Sequence, residues 1–115
     1  MQPKWLLHAE GAAIFLACLI AYGHLGHGWW WFVALFLVPD ISMLGYLHGA
    51  KSGAWLYNLV HTELFPVALG AGAVFYRPSL LAFALIWMAH IGFDRMLGYG
   101  LKYPTQFTDT HLARV

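Results

Sequence analysis

The chain has 115 residues, of which 61% are hydrophobic and 10% are charged, and its formal net charge is +1. Soluble domains carry about 25% charged residues, so this composition excludes a domain that faces water on all sides. The small net charge gives no indication of nucleic-acid binding, and the length allows only one domain. The sequence therefore predicts an all-α integral membrane protein.

Four apolar stretches approach the roughly 20 residues that a helix needs to cross a bilayer. In chain order they cover residues 5–22, 29–47, 53–75 and 79–101, and short Gly- and Pro-rich turns separate them. Because these turns are short, we expect neighbouring spans to run antiparallel. The predicted fold is an antiparallel bundle of four transmembrane helices, followed by a polar tail at 102–115.

The first two spans carry signals of their own. Lys4 precedes the first apolar run, but Glu10 interrupts that run and no clean cleavage site follows it, so we expect a retained span rather than a signal peptide. The tryptophans at 29–31 predict an aromatic belt at the membrane interface. Pro39, directly before Asp40, removes a backbone donor and predicts a kink in the second helix with a free carbonyl nearby.

The basic residues predict the orientation of the bundle. The side that holds both termini would carry Lys4, Lys51, Lys102 and Arg114, whereas only Arg77 falls on the opposite side. Basic residues favour the cytoplasmic side, so both termini are predicted to be cytoplasmic. The difference rests on few charges, and a dual or inverted topology stays open.

Polar side chains inside the spans point to function, because an ionisable group costs about 2.5–3.5 kcal/mol at the centre of a membrane helix. Counted inward from the predicted cytoplasmic ends at 1.5 Å per residue, six of them lie at depths of roughly 7 to 17 Å. These are Glu10, Asp40, Asn58, His61, His90 and Asp94. A common depth on alternating helices predicts one shared polar site in the cytoplasmic half of the bundle.

The residue types at this depth are those of a metal site. His90 and Asp94 stand at i and i+4 and share one helix face. Imidazole and carboxylate groups from several helices build metal sites in helix bundles, and they suit zinc, iron or manganese. The predicted metal ligands are Asp40, His61, His90 and Asp94. The remaining charged groups are candidates for catalysis: Glu10 or Glu63 as acid or base, and Arg95 as the group that holds an anion such as phosphate.

Two other interpretations of the same residues stay open. They could bind and relay protons or ions, as intramembrane Asp, Glu and His residues do in pumps, and with four helices per chain this requires a homo-oligomer. They could instead form the hydrogen-bonded core of a structural subunit, in which Arg95 pairs with Asp94 or Glu10. The tail is by default disordered. Alternatively, Asp109 and His111 fold back over the cytoplasmic mouth of the site.

Several motifs resemble a bacterial membrane-protein family known as domain of unknown function 4260. They are GYLHG at 45–49, GAWLYNLVHT at 53–62, AHIGFDRMLGYGLKY at 89–103 and THL at 110–112. The resemblance covers essentially the whole chain. It implies a protein of the bacterial inner membrane, and it implies no activity.

A weaker similarity concerns the membrane-bound metal-dependent hydrolases associated with the LexA regulon. Pro39-Asp40, His61-Thr62 and His90-x-x-x-Asp94, followed by Gly98 and Pro104, resemble the order of their motifs. These hydrolases carry a second histidine shortly before the position of His61, where this chain has Asn58. The similarity implies a metal-dependent hydrolase that acts on a lipid-like or phosphoester substrate, with membrane lipid as its partner.

Overall fold

The computed structural model describes residues 3–101 and 110–112 of the chain, except for the side chains of residues 43–46 and 48. All regular elements in this part are helical, which confirms the all-α prediction. The α-helices are α1 (Pro3–Leu25), α2 (Trp29–Phe36), α3 (Ala50–His61), α4 (Leu64–Tyr76) and α5 (Leu81–Leu97). Two 3₁₀ elements occur, a long one at Val38–His48, called here the 3₁₀ segment, and a single turn at Pro78–Leu80.

Three helical stretches are long and apolar enough to cross a membrane, namely Pro3–Leu25, Ala50–Tyr76 and Pro78–Leu97. They correspond to the first, third and fourth predicted spans. The second predicted span differs from the expected single helix over 29–47, because α2 ends at Phe36 and the chain continues as the 3₁₀ segment. Pro39 explains this end, since it lacks an N–H and its ring crowds the carbonyl four residues earlier. The Asp40 N–H then donates to the Leu37 carbonyl at 3.1 Å, which is the hydrogen bond of a 3₁₀ turn between residues three apart.

The third predicted span also contains a break that the sequence analysis did not predict. α3 ends at His61, Thr62 is extended with φ −81° and ψ 145°, and α4 begins at Leu64. Pro66 is the cause, because it stands in the first turn of α4 and cannot donate a hydrogen bond to the preceding turn. The break places the end of α3 inside the apolar stretch.

Helix α5 is the centre of the molecule, and α1 packs closely against it. The contact is made by two glycines: a Cβ on Gly11 would lie 2.5 Å from the Cβ of Arg95, and one on Gly92 would lie 2.8 Å from the backbone nitrogen of Phe15. Backbone therefore meets backbone at this crossing, as small residues permit in membrane bundles. His8 Nδ1 also donates to the carbonyl of Met96 at 2.9 Å, which joins the start of α1 to the end of α5.

The half of the molecule that contains the α1–α2 turn has an apolar core. Cys18, Tyr22, Phe32, Ile86 and Ala89 are buried there and form one cluster. The Tyr22 hydroxyl donates to the Gly28 carbonyl at 2.8 Å and holds the turn in place. The tryptophans at 29–31 are between 49% and 83% exposed, which suits the interfacial belt that the sequence predicts.

Candidate metal centre

Four ligand-type side chains converge beside α5. Nε2 of His90 lies 3.1 Å from Oδ1 of Asp40 and 3.1 Å from Oδ2 of Asp94. Nε2 of His61 lies 3.4 Å and 3.5 Å from the same two oxygens, and 3.2 Å from Nε2 of His90. All four ligand atoms fall within 4.8 Å of one another. Side chains that are 54 residues apart in the sequence, from Asp40 to Asp94, thus meet at one point.

Each of the four residues occupies a distinct position in the fold. Asp40 lies in the first turn of the 3₁₀ segment, directly after the proline that ends α2. His61 is the last residue of α3, at the break before α4. His90 and Asp94 are one turn apart on α5, and their side chains contact as the i, i+4 spacing predicts. Both irregular points of the backbone therefore lie next to the cluster.

The His61 ring is held by groups outside the cluster. Its Nδ1 donates to the carbonyl of Tyr57 at 2.9 Å, and its ring stacks on that of Tyr57 at 3.7 Å between centroids with an angle of 6°. When Nδ1 carries the proton, Nε2 presents its lone pair to the cluster. Histidine ligands of metals characteristically have this arrangement, in which the second nitrogen donates to a carbonyl or carboxylate. His61 is therefore oriented as a metal ligand would be.

His90 is placed differently. Its ring packs edge-on against Phe36, with 5.1 Å between ring centroids. Its Nδ1 is buried, and the ring interacts with the backbone of Phe36. Its Nε2 lies within hydrogen-bond distance of Asp40 Oδ1. In the absence of a cation, a proton on Nε2 would bond to Asp40.

The carbonyls freed by the break in the third stretch are bound by side chains of α5. Trp87 Nε1 donates to the Val60 carbonyl at 2.7 Å, and Arg95 Nη2 donates to the His61 carbonyl at 3.1 Å. Arg95 Nη1 also donates to the Tyr99 carbonyl at 3.1 Å. Backbone groups inside a membrane need such partners, because the hydrocarbon offers none. Arg95 thereby fixes the position of the residue that carries one of the four ligand atoms.

The cluster is enclosed except on one side. The side chains of His61, His90 and Asp94 are 0%, 2% and 12% exposed, whereas that of Asp40 is 35% exposed. Oδ2 of Asp94 is buried, and its neighbours are the Nε2 atoms of His90 and His61 at 3.1 Å and 3.5 Å. A carboxylate oxygen in this setting requires a compensating positive charge. Access to the cluster is from the side of Asp40.

The three residues predicted to act in catalysis lie together elsewhere. Glu10, Glu63 and Arg95 line a cavity of about 470 Å³ that adjoins the break, together with Thr62 and His111. Glu10 is exposed and lines this cavity, so the predicted single polar site that includes Glu10 together with Asp40, His61, His90 and Asp94 is not observed. No salt bridge joins Arg95 to Asp94 or Glu10 within the described ranges. The catalytic roles of the three residues remain predictions.

Part of the tail folds back onto this cavity. The N–H of Leu101 donates to Nδ1 of His111, and the N–H of His111 donates to the Leu101 carbonyl, both at 2.8 Å. Leu112 is buried. Burial, and then the charge of Arg95, lower the pKa of His111 below its ordinary value of 6.5. His111 thus folds back, as the alternative to a disordered tail has it, but it lines this cavity and not the cluster, whereas Asp109 lies outside the described residues.

The sequence analysis missed three residues that shape the site. Tyr57 stacks on the His61 ring, Trp87 binds the carbonyl of Val60 next to His61, and Pro66 breaks the third stretch. Pro66 carried a usable signal, because a proline inside an apolar run ends or kinks a helix. Tyr57 stands four residues before His61, a spacing that places both on one face. Trp87 gave no signal, since its partner comes from another helix.

Comparison with known families gave one finding. The model of a family described as domain of unknown function (DUF4260) matches residues 4–115. No curated protein and no solved structure matches the chain. The similarity to metal-dependent hydrolases therefore gains no support from these comparisons.

Proposed function

The chain belongs to the family DUF4260, whose description names no activity, and on the geometry of its site we propose that it is an intramembrane metal-dependent hydrolase. The cation would be held by Asp40, His61, His90 and Asp94. The single observation that carries this proposal is the convergence of their four ligand atoms. Ligands at 2.0–2.1 Å from a tetrahedral metal are about 3.3–3.4 Å apart. Five of the six separations here are 3.1–3.5 Å, and the ligand atoms all lie within 4.8 Å of one another.

The donor set supports a divalent cation of the zinc, iron or manganese type. Two imidazole nitrogens and two carboxylate oxygens suit these metals, and the cluster contains no thiolate that would favour copper(I). The net charge of the cluster also favours a divalent cation. Two largely enclosed carboxylates with two neutral imidazoles leave a charge of −2, which is unfavourable in a membrane interior without a cation.

The substrate class follows from the surroundings of the site. A bound metal would polarise a substrate oxygen or lower the pKa of a bound water. With four protein ligands, a water or substrate oxygen would have to occupy a fifth position, and the exposed side of Asp40 is where that position would lie. Apolar helices on all sides favour a lipid-like or phosphoester substrate that arrives through the membrane. Glu10 or Glu63 would transfer protons if substrate binding brings the cavity and the cluster together.

We also propose a place in a bacterial inner membrane with both termini in the cytoplasm, and the following features support the membrane location and the orientation. Three apolar stretches have the necessary length. The contact between His8 and Met96 brings the start of α1 and the end of α5 to one end of the molecule. Lys4 and Lys51 begin α1 and α3, whereas Arg77 follows α4. This distribution supports the orientation that the basic residues predict.

Elemental analysis tests the proposal directly. The protein would be purified in a mild detergent, loaded with zinc or manganese and freed of excess metal. We expect about one metal ion per chain, and background levels in Asp94→Asn and His90→Ala. Glu10→Gln is the matched control and should keep its metal, because Glu10 lies outside the cluster. Background metal in the loaded wild type would overturn the proposal.

A proton or ion pathway is the second candidate. Nε2 of His90 lies 3.2 Å from Nε2 of His61 and 3.1 Å from Oδ1 of Asp40, so these three groups could share one bound proton. This function needs a homo-oligomer, since one chain has few helices to enclose a path. It predicts ion flux in proteoliposomes that Asp94→Asn abolishes. Flux that is equal in the wild type and this variant would exclude it.

A further inference from the structure

An apolar groove of about 640 Å³ begins beside the metal cluster. Its wall residues are neighbours of the ligands in the chain. Pro39 precedes Asp40, and Val60 precedes His61. Ile86 stands one turn before His90 on the same face of α5. The groove lining therefore includes residues that neighbour three of the four ligands, either in the chain or by one helical turn.

The groove extends away from Asp94 along α5. It reaches Phe83, which lies seven residues before His90, a distance of about 10 Å at 1.5 Å per residue. Its floor includes Ile86, which is buried. Phe83, Val38 and Ile41 at its rim are 47%, 47% and 59% exposed. In a membrane these rim side chains face lipid, so a hydrocarbon chain can enter from the bilayer without crossing water.

One polar side chain lines this otherwise apolar space. Ser42 is 7% exposed, and its Oγ has no hydrogen-bond partner in the part of the chain that the structure describes. A buried hydroxyl without a partner is unfavourable, and a ligand atom that accepts its hydrogen bond would remove that cost. Ser42 is two residues from Asp40. The unpartnered hydroxyl thus indicates a polar ligand atom close to the cluster and at the head of an apolar chain.

We propose that this groove holds the acyl chain of an ester lipid, with the ester carbonyl bonded to Ser42 and the scissile bond at the metal cluster. This inference rests on the proposed function and specifies its substrate class. In the reaction the oxygen of water bonds to the acyl carbon, and the bond from that carbon to the alkoxy oxygen breaks. The leaving alkoxide takes one proton, and the acid keeps the other until it ionises. Water is the only co-reactant.

The first experiment tests whether the acyl chain of a lipid occupies the groove. A monoacyl phospholipid with a nitroxide on its chain would be added to the purified protein in detergent, and the immobilised fraction of its EPR spectrum measured. Ile86→Trp fills the groove and should lower this fraction at least threefold. Val74→Trp adds the same ring at an exposed position of α4 and should leave it unchanged. Equal fractions in both variants would overturn the inference.

Manganese in the cluster separates this inference from the proposed function. We expect Mn²⁺ to broaden the nitroxide signal of bound lipid in the wild type. Asp94→Asn should lose the broadening but keep the immobilised lipid, whereas Ile86→Trp should keep the metal and lose the lipid. A wild type without Mn²⁺ binding would overturn the proposed function, and with it the substrate assignment. Metal binding without lipid immobilisation would overturn the groove assignment alone.

Ser42→Ala provides a test that does not depend on how Ile86→Trp folds. The wild type should bind an ester-linked monoacyl lipid about fivefold more tightly than its ether analogue, since one hydrogen bond is involved. Ser42→Ala should remove this preference and keep its metal. Equal affinities in the wild type would overturn the role of Ser42. If Ile86→Trp instead dissociated a dimer and left lipid binding intact, the groove would belong to a second copy, and the inference would be wrong.

Discussion

The two halves of α5 differ in the regularity of what packs around them. Beside its first half, from Leu81 to Ala89, lies an apolar core, and the neighbouring α1 continues there without interruption. Beside its second half, from His90 to Leu97, the α-helical path of the chain is interrupted twice, after Phe36 and after His61. The elements that pack on α5 are therefore continuous helices beside the apolar core and interrupted helices beside the polar cluster. Each interruption brings one ligand, Asp40 or His61, to the two that α5 supplies.

The largest effect should come from the contact that holds α1 against the second half of α5. Gly92→Ala adds a Cβ 2.8 Å from the backbone nitrogen of Phe15 and 2.9 Å from the Gly11 carbonyl. Backbone cannot yield as a side chain can, so we expect a loss of about 3 kcal/mol, the upper end for overpacking. Thermal unfolding in detergent measures it. Gly72→Ala is the control, since a Cβ there has nothing within 4 Å. A Gly92→Ala variant that melts at the same temperature as the wild type would contradict the close packing of α1 on α5.

Arg95→Met should act on the polar half alone. It removes the donor to the His61 carbonyl and leaves the four ligands unchanged. Removal of a positive charge favours cation binding, but we expect the loss of ligand positioning to outweigh it, so that metal affinity falls about 10–100-fold. Competitive zinc titration measures the change. Arg77→Met removes the same charge at an exposed position and should keep wild-type affinity. An unchanged affinity in Arg95→Met would show that the break holds its shape without this bond.

Two variants that each remove one hydrogen bond allow a direct comparison of the region beside the break with the opposite end of the molecule. Trp87→Phe removes the donor to Val60 beside the break, and Tyr22→Phe removes the donor to Gly28 at the other end. Each should lower the free energy of unfolding by about 1 kcal/mol. Only Trp87→Phe should also weaken metal binding. A matching loss of metal affinity in Tyr22→Phe would mean that the halves are coupled through α5.

The smallest effect concerns the tail. The docked form of His111 has a lowered pKa and accepts the Leu101 N–H through Nδ1. Neutral His111 therefore favours docking: the stabilisation is full above pH 6.5 and is lost as the pH falls through the docked pKa. Hydrogen exchange of the Leu101 amide, corrected for its intrinsic pH dependence, should show less protection at pH 5.5 than at pH 7.5. His111→Gln should abolish this difference, and its persistence there would assign it to another group.

The sequence could predict what depends on distance along a helix axis. Apolar length placed three of the stretches, and depth counting selected Asp40, His61, His90 and Asp94, which the structure brings together. Glu10 shows that depth along the helix axis is not enough to place a residue in the site. Its depth is similar, but depth does not fix the rotation of a helix about its axis. The Gly11 contact with α5 sets that rotation, and it leaves the neighbouring Glu10 exposed.

The break at Thr62 could not be predicted from the sequence, for a different reason. Pro66 shows that the helix must be disturbed, but a kink and a complete interruption have the same sequence signal. The choice depends on whether freed carbonyls find partners. Here Trp87 and Arg95 provide them from α5, across a helix–helix contact that only the folded chain contains.

The interruption after His61 also has an electrostatic consequence. A helix carries roughly half a negative charge at its C-terminal end, and α3 ends inside the apolar stretch, at the residue that holds one of the four ligand atoms. Together with the carboxylates of Asp40 and Asp94 this gives about −2.5, of which the guanidinium of Arg95 offsets one unit. A divalent ion would bring the local sum to about +0.5. The truncated helix thus adds its dipole to the attraction that draws a cation to this point.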